Sequence, residues 1–136
     1  MPYFGSFAPS DNVDVMFSTT GSGGGLVALS AASIAVYSGN STTEDTSAVT
    51  LTASFDSRTG LNHVRIATSA ASTFYVDGGL YNIVLTAGSV EGVPVNGYAV
   101  GNFDLRARTF VDLTLGRSAS AVDGTANTYS LYSVIM

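Results

Sequence analysis

The chain has 136 residues, a length that suits a single domain burying roughly two-thirds of its unfolded surface. It contains no cysteine, which excludes disulfides, thiolate metal sites and cysteine nucleophiles. The net charge is −5 and all five basic residues are arginines, so the clustered basic charge that nucleic-acid binding requires is missing.

The N-terminal run Met1–Gly5 has neither a basic region nor an apolar stretch and is not predicted to be a secretion signal. No segment approaches the ~20 apolar residues of a membrane helix. We therefore expect a soluble protein that is not exported by a signal peptide and that does not contact membranes.

Short runs in which apolar and polar residues alternate predict β-strands along most of the first half of the chain. These predicted strands are Val13–Thr19, Leu26–Leu29, Ser33–Tyr37, Val49–Phe55 and Leu61–Thr68. The polar stretch Ser38–Ser47 is predicted to be an exposed loop. Turn residues at Asp56–Gly60 predict that the last two of these strands form a hairpin.

In the second half, Ser69–Tyr75 is predicted to form one helical turn or an irregular crossover, with an N-cap at Ser69 or Ser72. Leu80–Ala87 is almost continuously apolar and is predicted to be a central, well-covered strand. The remaining predicted elements are a short ribbon over Val90–Val95 and strands at Tyr98–Arg108 and Thr109–Leu115.

This spacing of strands predicts an all-β fold, a single Ig-like or jelly-roll-like antiparallel β-sandwich of about seven to nine strands. Residues 1–115 form the predicted β-sandwich domain with an N-terminal lead-in segment. Residues 116–136 form a linker and a C-terminal strand or arm. The apolar Tyr129–Met136 is read either as a final strand or as an arm that adds to a neighbour's sheet edge.

Residues for chemistry are scarce. His63 is the only histidine, and alternation places it with Arg65 on the face opposite Val64, where it would be solvent-facing or at an interface. The acids are spread thinly among loops, which favours turn and cap roles. Calcium bound near Asp11 and Asp14, or near Glu44 and Asp45, is left open. No catalytic residue, cofactor or metal site is predicted, and no enzymatic activity.

The central half of the chain contains a pattern of strands and turns that resembles small virion proteins of tailed bacteriophages. The segments that carry it are Phe55–Val64, Thr68–Ser69, Phe74–Tyr75, Gly78–Leu85, Gly88–Gly92 and Phe103–Arg108. No functional site carries over with this pattern. The resemblance implies a structural protein of the virion that is made in the host cytoplasm.

Proteins of this kind occur as head decorations, as neck or tail components, and as attachment domains of fibres. We expect a capsid decoration or cement subunit that binds the major capsid protein and forms a homo-oligomer. The alternatives are a neck, baseplate or tail-fibre adaptor that binds neck or tail proteins, and a carbohydrate-binding module for host attachment. The predicted interface residues lie at the two apolar ends of the chain, and they are Tyr3, Phe4, Phe7, Tyr129, Leu131, Tyr132, Val134 and Ile135.

Overall fold

The structure, a computed structural model, describes residues 2–107. The chain separates into two units, Met1–Arg106 and Ala107–Met136. The predicted strand Thr109–Leu115, the predicted boundary after residue 115 and the predicted arm Tyr129–Met136 lie outside the described residues. The strands of the first unit are β1 Tyr3–Phe7, β2 Asn12–Ser18, β3 Leu29–Ser38, β4 Glu44–Asp45, β5 Val49–Thr52, β6 Leu61–Ala67, β7 Leu80–Val90, β8 Val93–Pro94 and β9 Ala99–Leu105.

The strands form two sheets. The larger sheet has the order β1-β9-β7-β3-β4, with β8 paired to β7, and the smaller sheet has the order β2-β6-β5. In chain order, β2, β3, β5, β6, β7 and β9 occupy the positions of strands B, C, D, E, F and G of an immunoglobulin-type sandwich, and β4 occupies that of C′. The predicted all-β sandwich is confirmed, with the Ig-like order rather than the jelly-roll order.

Strand β1 shows that the N-terminal segment is part of the sheet. It pairs with β9 in parallel, whereas every other strand pair in the described residues is antiparallel. The Phe7 ring meets the Phe103 ring edge to face, with centroids 6.1 Å apart. The predicted lead-in segment is therefore a strand held by the domain's own core.

The core lies between the two sheets and follows from the alternation of apolar residues. Along β2, Val13, Val15 and Phe17 are buried while the residues between them are exposed. Strand β7 is central, between β9 and β3, as its apolar sequence predicts. The fully buried apolar side chains include Tyr81, Phe103, Ile66, Ile83, Leu85, Leu105, Val36, Val64 and Val100.

Several predicted strand limits are wrong for local reasons. The strand at Val49 ends at Thr52 because Ser54 takes a left-handed backbone conformation (φ +50°), and Phe55 begins a 3-10 turn. The predicted strand Ser33–Tyr37 lies within the longer β3, whose register shifts near Ala31 (φ +51°) and which includes only Leu29 of the predicted Leu26–Leu29.

Two predictions in the loops also need correction. The segment Ser38–Ser47 is not loop throughout, because Glu44–Asp45 pairs with β3 and Asp45 is buried. The predicted helical turn exists as a 3-10 helix over Thr68–Ala71, but its N-cap is Ala67 rather than a serine. The predicted hairpin of β5 with β6 and the ribbon of β7 with β8 are both present.

Candidate protein-binding surface

His63 lies on the outer face of the smaller sheet, as alternation predicts, and its surroundings are structural. Its Nε2 atom is 3.0 Å from Asp14, and its ring lies 5.0 Å from that of Phe55. Arg65 reaches the same carboxylate through two nitrogen atoms, at 2.7 and 3.2 Å. The hydrogen bond from Arg65 lowers the pKa of Asp14. This cluster joins β2 to β6 as a cross-strand ion pair.

A second polar cluster joins β1 to β9. Asp104 accepts hydrogen bonds from the Tyr3 and Ser6 hydroxyls and from Arg106 Nε, the last two at 2.7 Å. The Tyr3 hydroxyl is the largest cause that lowers the pKa of Asp104 to about 2, and burial acts in the opposite direction. The cluster thus holds the edge strand to the rest of its sheet.

The buried carboxylate of Asp45 has an internal role as well. It accepts hydrogen bonds from the Tyr75 hydroxyl at 2.8 Å, from the Ser47 hydroxyl at 2.7 Å and from the Ala48 amide at 3.3 Å. Burial raises the pKa of Asp45, but the hydrogen bonds outweigh it and the pKa stays below its ordinary value. Asp45 therefore serves as a turn cap, one of the roles that its sequence context favours.

None of these clusters offers a metal site. Within residues 2–107 no group of three or more His, Cys, Asp or Glu side chains could hold a metal ion. Asp14 and Asp45, two of the acids considered for calcium, are engaged by protein donors. The structure therefore gives no support to calcium binding in the described part of the chain.

Two depressions combine apolar side chains with hydroxyl groups but have no charged side chain in their linings. A cavity of about 170 Å³ lies at one end of the sandwich, beside Thr19, Leu85 and Tyr98. A more open groove of about 420 Å³ lies where β3 faces β5, beside Ile34, Val49 and Leu51. Ligand sites combine an apolar lining with a few placed polar groups, and neither depression brings charged side chains together.

The feature best suited to binding is the outer edge of β2. Within residues 2–107, β2 pairs with β6 on one side and with no strand on the other. Its seven residues keep an uninterrupted register with β6. Natural edge strands are usually shortened, bulged, or guarded by Lys or Pro. Strand β2 is neither shortened nor bulged and has no Lys or Pro; its exposed face carries Met16, which is 48% exposed, and one charged residue, Asp14, which is paired with Arg65.

The other edges differ from that of β2. Strand β1 has five residues and an irregular register around Gly5, whose φ of +109° is left-handed. Strand β5 has four residues and β4 has two. These edges are shortened or bulged in the way that opposes the addition of another strand. Among the described strands, β2 is the one long and regular edge.

The predicted interface residues divide into three groups. Tyr3 is exposed over 59% of its surface, although its hydroxyl is used by Asp104. Phe4 and Phe7 pack against the core, so they stabilise the domain itself. The other predicted interface residues, Tyr129, Leu131, Tyr132, Val134 and Ile135, lie outside the described residues.

Sequence reasoning did not identify the β2 edge as a surface. The alternation of Val13–Thr19 predicts the strand and its buried face, but periodicity does not reveal which strands become neighbours. The signal that was available is the absence of lysine, which removes a common protection of sheet edges.

Comparison with protein-family models, with curated proteins and with solved structures finds no match to this chain. A search of the described residues for a helix long and apolar enough to span a membrane finds none.

Proposed function

We propose that this chain is a non-enzymatic structural subunit of a tailed-phage virion, a capsid decoration or cement protein that binds the major capsid protein and neighbouring copies. The observation that carries the proposal is the contrast between the polar clusters and the β2 edge. The carboxylates of Asp14, Asp45 and Asp104 are all engaged by donors of the same domain. Strand β2, by comparison, has no neighbour on its outer side within residues 2–107.

The resemblance to small virion proteins supports the class of protein rather than a site. Many of its residues determine the fold: Gly79 ends the turn before β7, the hydroxyl of Tyr81 in β7 bonds back to that turn, and Glu91–Gly92 turns β7 into β8. Gly60 lies so close to Thr19 and Leu26 that a side chain would collide with them. A pattern of this type describes a scaffold, and a scaffold without a reactive site suits a subunit that works by contact area.

A neck, baseplate or tail-fibre adaptor is a second candidate, favoured by the direction of the terminal strands. Because β1 and β9 are parallel neighbours, Tyr3 lies beside Asn102 and Phe7 lies beside Leu105. The chain therefore begins β1 at one end of the sheet and leaves β9 at the other. This arrangement suits a domain inserted in line between two different structures.

The test is to locate the protein in particles produced by the genome that encodes it. Immunogold electron microscopy and quantitative mass spectrometry of purified particles would give position and copy number together. A decoration protein is expected on the head in numbers that follow the capsid lattice, while an adaptor is expected at one vertex or on the tail in few copies. Particles that lack the protein altogether would refute both candidates.

A further inference from the structure

We propose that the cavity of about 170 Å³ at one end of the sandwich binds a single neutral pyranose ring of a glycan. The inference goes beyond the proposed function and does not depend on it, because contacts with other subunits hold a structural protein in place with or without a sugar. It rests on the size of the cavity, the chemistry of its lining and the rigidity of its walls.

The cavity lies where three segments of the chain meet. The end of β2 forms one wall, β7 forms the base, and the segment between β8 and β9 forms the opposite wall. The lining residues are Ser18, Thr19, Thr20, Leu85, Val90, Val95 and Tyr98. In the immunoglobulin order these walls belong to the B–C and F–G connections, which lie at the same end of the sandwich and carry binding loops in variable domains.

The volume of the cavity limits the ligand to one ring. A protein cavity of about 150 Å³ accommodates a benzene molecule, so about 170 Å³ accommodates one six-membered ring. Pockets for drug-sized ligands are larger, on the order of 300–1,000 Å³. Further units of a chain of sugars would therefore lie outside the cavity, beyond its open mouth.

The lining selects a neutral ligand that has both apolar and hydroxyl surfaces. Within the described part of the chain, none of the residues that line the cavity is charged. Leu85, Val90 and Val95 are apolar, whereas the hydroxyls of Ser18 and Thr20 form no hydrogen bond with a described residue. A pyranose has C–H groups on its faces and hydroxyls around its rim, so it matches both. A purely apolar ring would remove the hydroxyl-bearing wall from water without giving it partners.

Tyr98 provides an aromatic surface beside the cavity. Its side chain is 48% exposed, and its ring lies 6.3 Å from the ring of Phe17, which supports it from the core. Its amide donates to the Val95 carbonyl at 3.1 Å, and its carbonyl accepts from the Leu85 amide at 2.9 Å. An aromatic ring held in this way offers a large, rigid contact area for the C–H face of a sugar.

The two walls are fixed before any ligand arrives. Thr19 donates its amide to the Gly60 carbonyl at 2.9 Å and its hydroxyl to the Val27 carbonyl at 2.6 Å. The Glu91 carboxylate, in the turn after β7, accepts hydrogen bonds from the amide and the hydroxyl of Ser22 at 3.1 and 3.2 Å. Glu91 therefore ties the loop after β2 to the opposite wall. A preformed cavity of this kind binds without the entropic cost of ordering its own loops.

The test is a titration of the full-length, ¹⁵N-labelled chain with the methyl glycosides of glucose, galactose, mannose and N-acetylglucosamine, followed by amide chemical shifts. At least one of them should bind with a Kd on the order of 1 mM. The shifts should be largest at Thr19, Leu85 and Val95. Cyclohexanol has a ring of the same size and a single hydroxyl, and it should bind about tenfold more weakly.

Four variants test the cavity itself. Tyr98→Ala should raise the Kd about tenfold, whereas Tyr98→Phe, which keeps the ring, should bind within about threefold of the parent. Val95→Phe fills the cavity and should abolish binding. Val93→Ala is the matched control, because Val93 lies in β8 close to the same wall, is 62% exposed and does not line the cavity, so its Kd should not change.

The proposal would be overturned by a parent chain that binds none of the four glycosides, or whose shifts lie away from the cavity. Cyclohexanol that binds as tightly as the sugars would show a site for apolar groups instead. A Tyr98→Ala chain that binds like the parent would also overturn it; if that variant does not fold, the shift map of the parent and Val95→Phe decide. Failure here would leave the location in the virion unaffected, and absence from particles would refute the proposed function alone.

Discussion

The Tyr81 hydroxyl ties the turn before β7 to the core. It accepts a hydrogen bond from the Val76 amide at 2.7 Å and donates one to the Phe74 carbonyl at 2.9 Å. A side chain on Gly79 would overlap this hydroxyl, so glycine is required there. Immunoglobulin-type domains use the same tyrosine corner, with a cysteine two residues later, and here Ile83 occupies that position. The corner persists without the disulfide.

We expect Tyr81→Phe to lower the free energy of unfolding by about 1–3 kcal/mol, because the Val76 amide loses its partner in a partly buried site. The ring itself stays in place against Phe103, so packing is unchanged. Tyr98→Phe is the control, since this ring is 48% exposed, and it should change stability by less than about 0.5 kcal/mol. Urea denaturation of the three chains measures the difference, and equal losses in both variants would contradict this role.

The Asp104 cluster makes the stability of the pairing between β1 and β9 depend on pH. The cluster's hydrogen bonds lower the pKa of Asp104 to about 2, below the ordinary value of 3.8. A carboxylate with a lowered pKa contributes stability that is present above its unfolded pKa and is lost as the pH falls through the folded value. The contribution of Asp104 is therefore complete above about pH 4 and disappears toward about pH 2.

The variant Asp104→Asn tests this. It should melt at a lower temperature than the parent at pH 7, because it lacks the carboxylate that pairs with Arg106. The difference in melting temperature between the parent and the variant should narrow as the pH falls from about 4 to about 2, where the parent's carboxyl is also neutral. The control is Asp56→Asn, which lies in an exposed turn and should melt at the same temperature as the parent at every pH in this range. Thermal melts across this pH range measure the difference in melting temperature. A difference that does not change with pH would refute the stabilising role of the Asp104 carboxylate.

The strands that could be predicted from sequence are those whose own alternation determines burial. Val13–Thr19 and Leu61–Thr68 match β2 and β6 within a residue at each end, because both strands have one face in the core. Strands β1 and β4 depend instead on partners distant in sequence, β9 and β3, and their short segments carry little periodicity. Phe55 continues the alternation of Val49–Thr52, yet the left-handed Ser54 directs it to the outer face.

The same limit applies to the candidate surface. Apolar composition predicts interface residues at both ends of the chain. It does not distinguish a residue that packs in the core of its own domain from one that binds a partner. Phe7 belongs to the first kind, since its ring meets Phe103. The sequence does not reveal the edge of β2, because whether one side of a strand is unpaired depends on the strand order and not on the residues of that strand.

The net charge of the chain constrains how copies associate. Each copy carries a charge of −5, so identical subunits repel one another in the absence of salt. Contacts made through the unpaired edge of β2 would use backbone hydrogen bonds and apolar burial, which salt screens little. The repulsion between exposed charges is screened strongly, since the Debye length falls from roughly 30 Å at 0.01 M to roughly 3 Å at 1 M salt.

Self-association should therefore strengthen by a few-fold as sodium chloride rises from about 20 mM to about 500 mM. Sedimentation velocity of the full-length chain at the two salt concentrations measures the change in Kd. Met16→Pro, which removes a backbone amide from the unpaired side of β2, should weaken association at both salt concentrations, which separates the specific contact from salting out. Dissociation of the parent at high salt would instead indicate that ion pairs hold the copies together. In that case the exposed Arg65 and its neighbours on the outer face of β6, and not the edge of β2, would be the surface to examine.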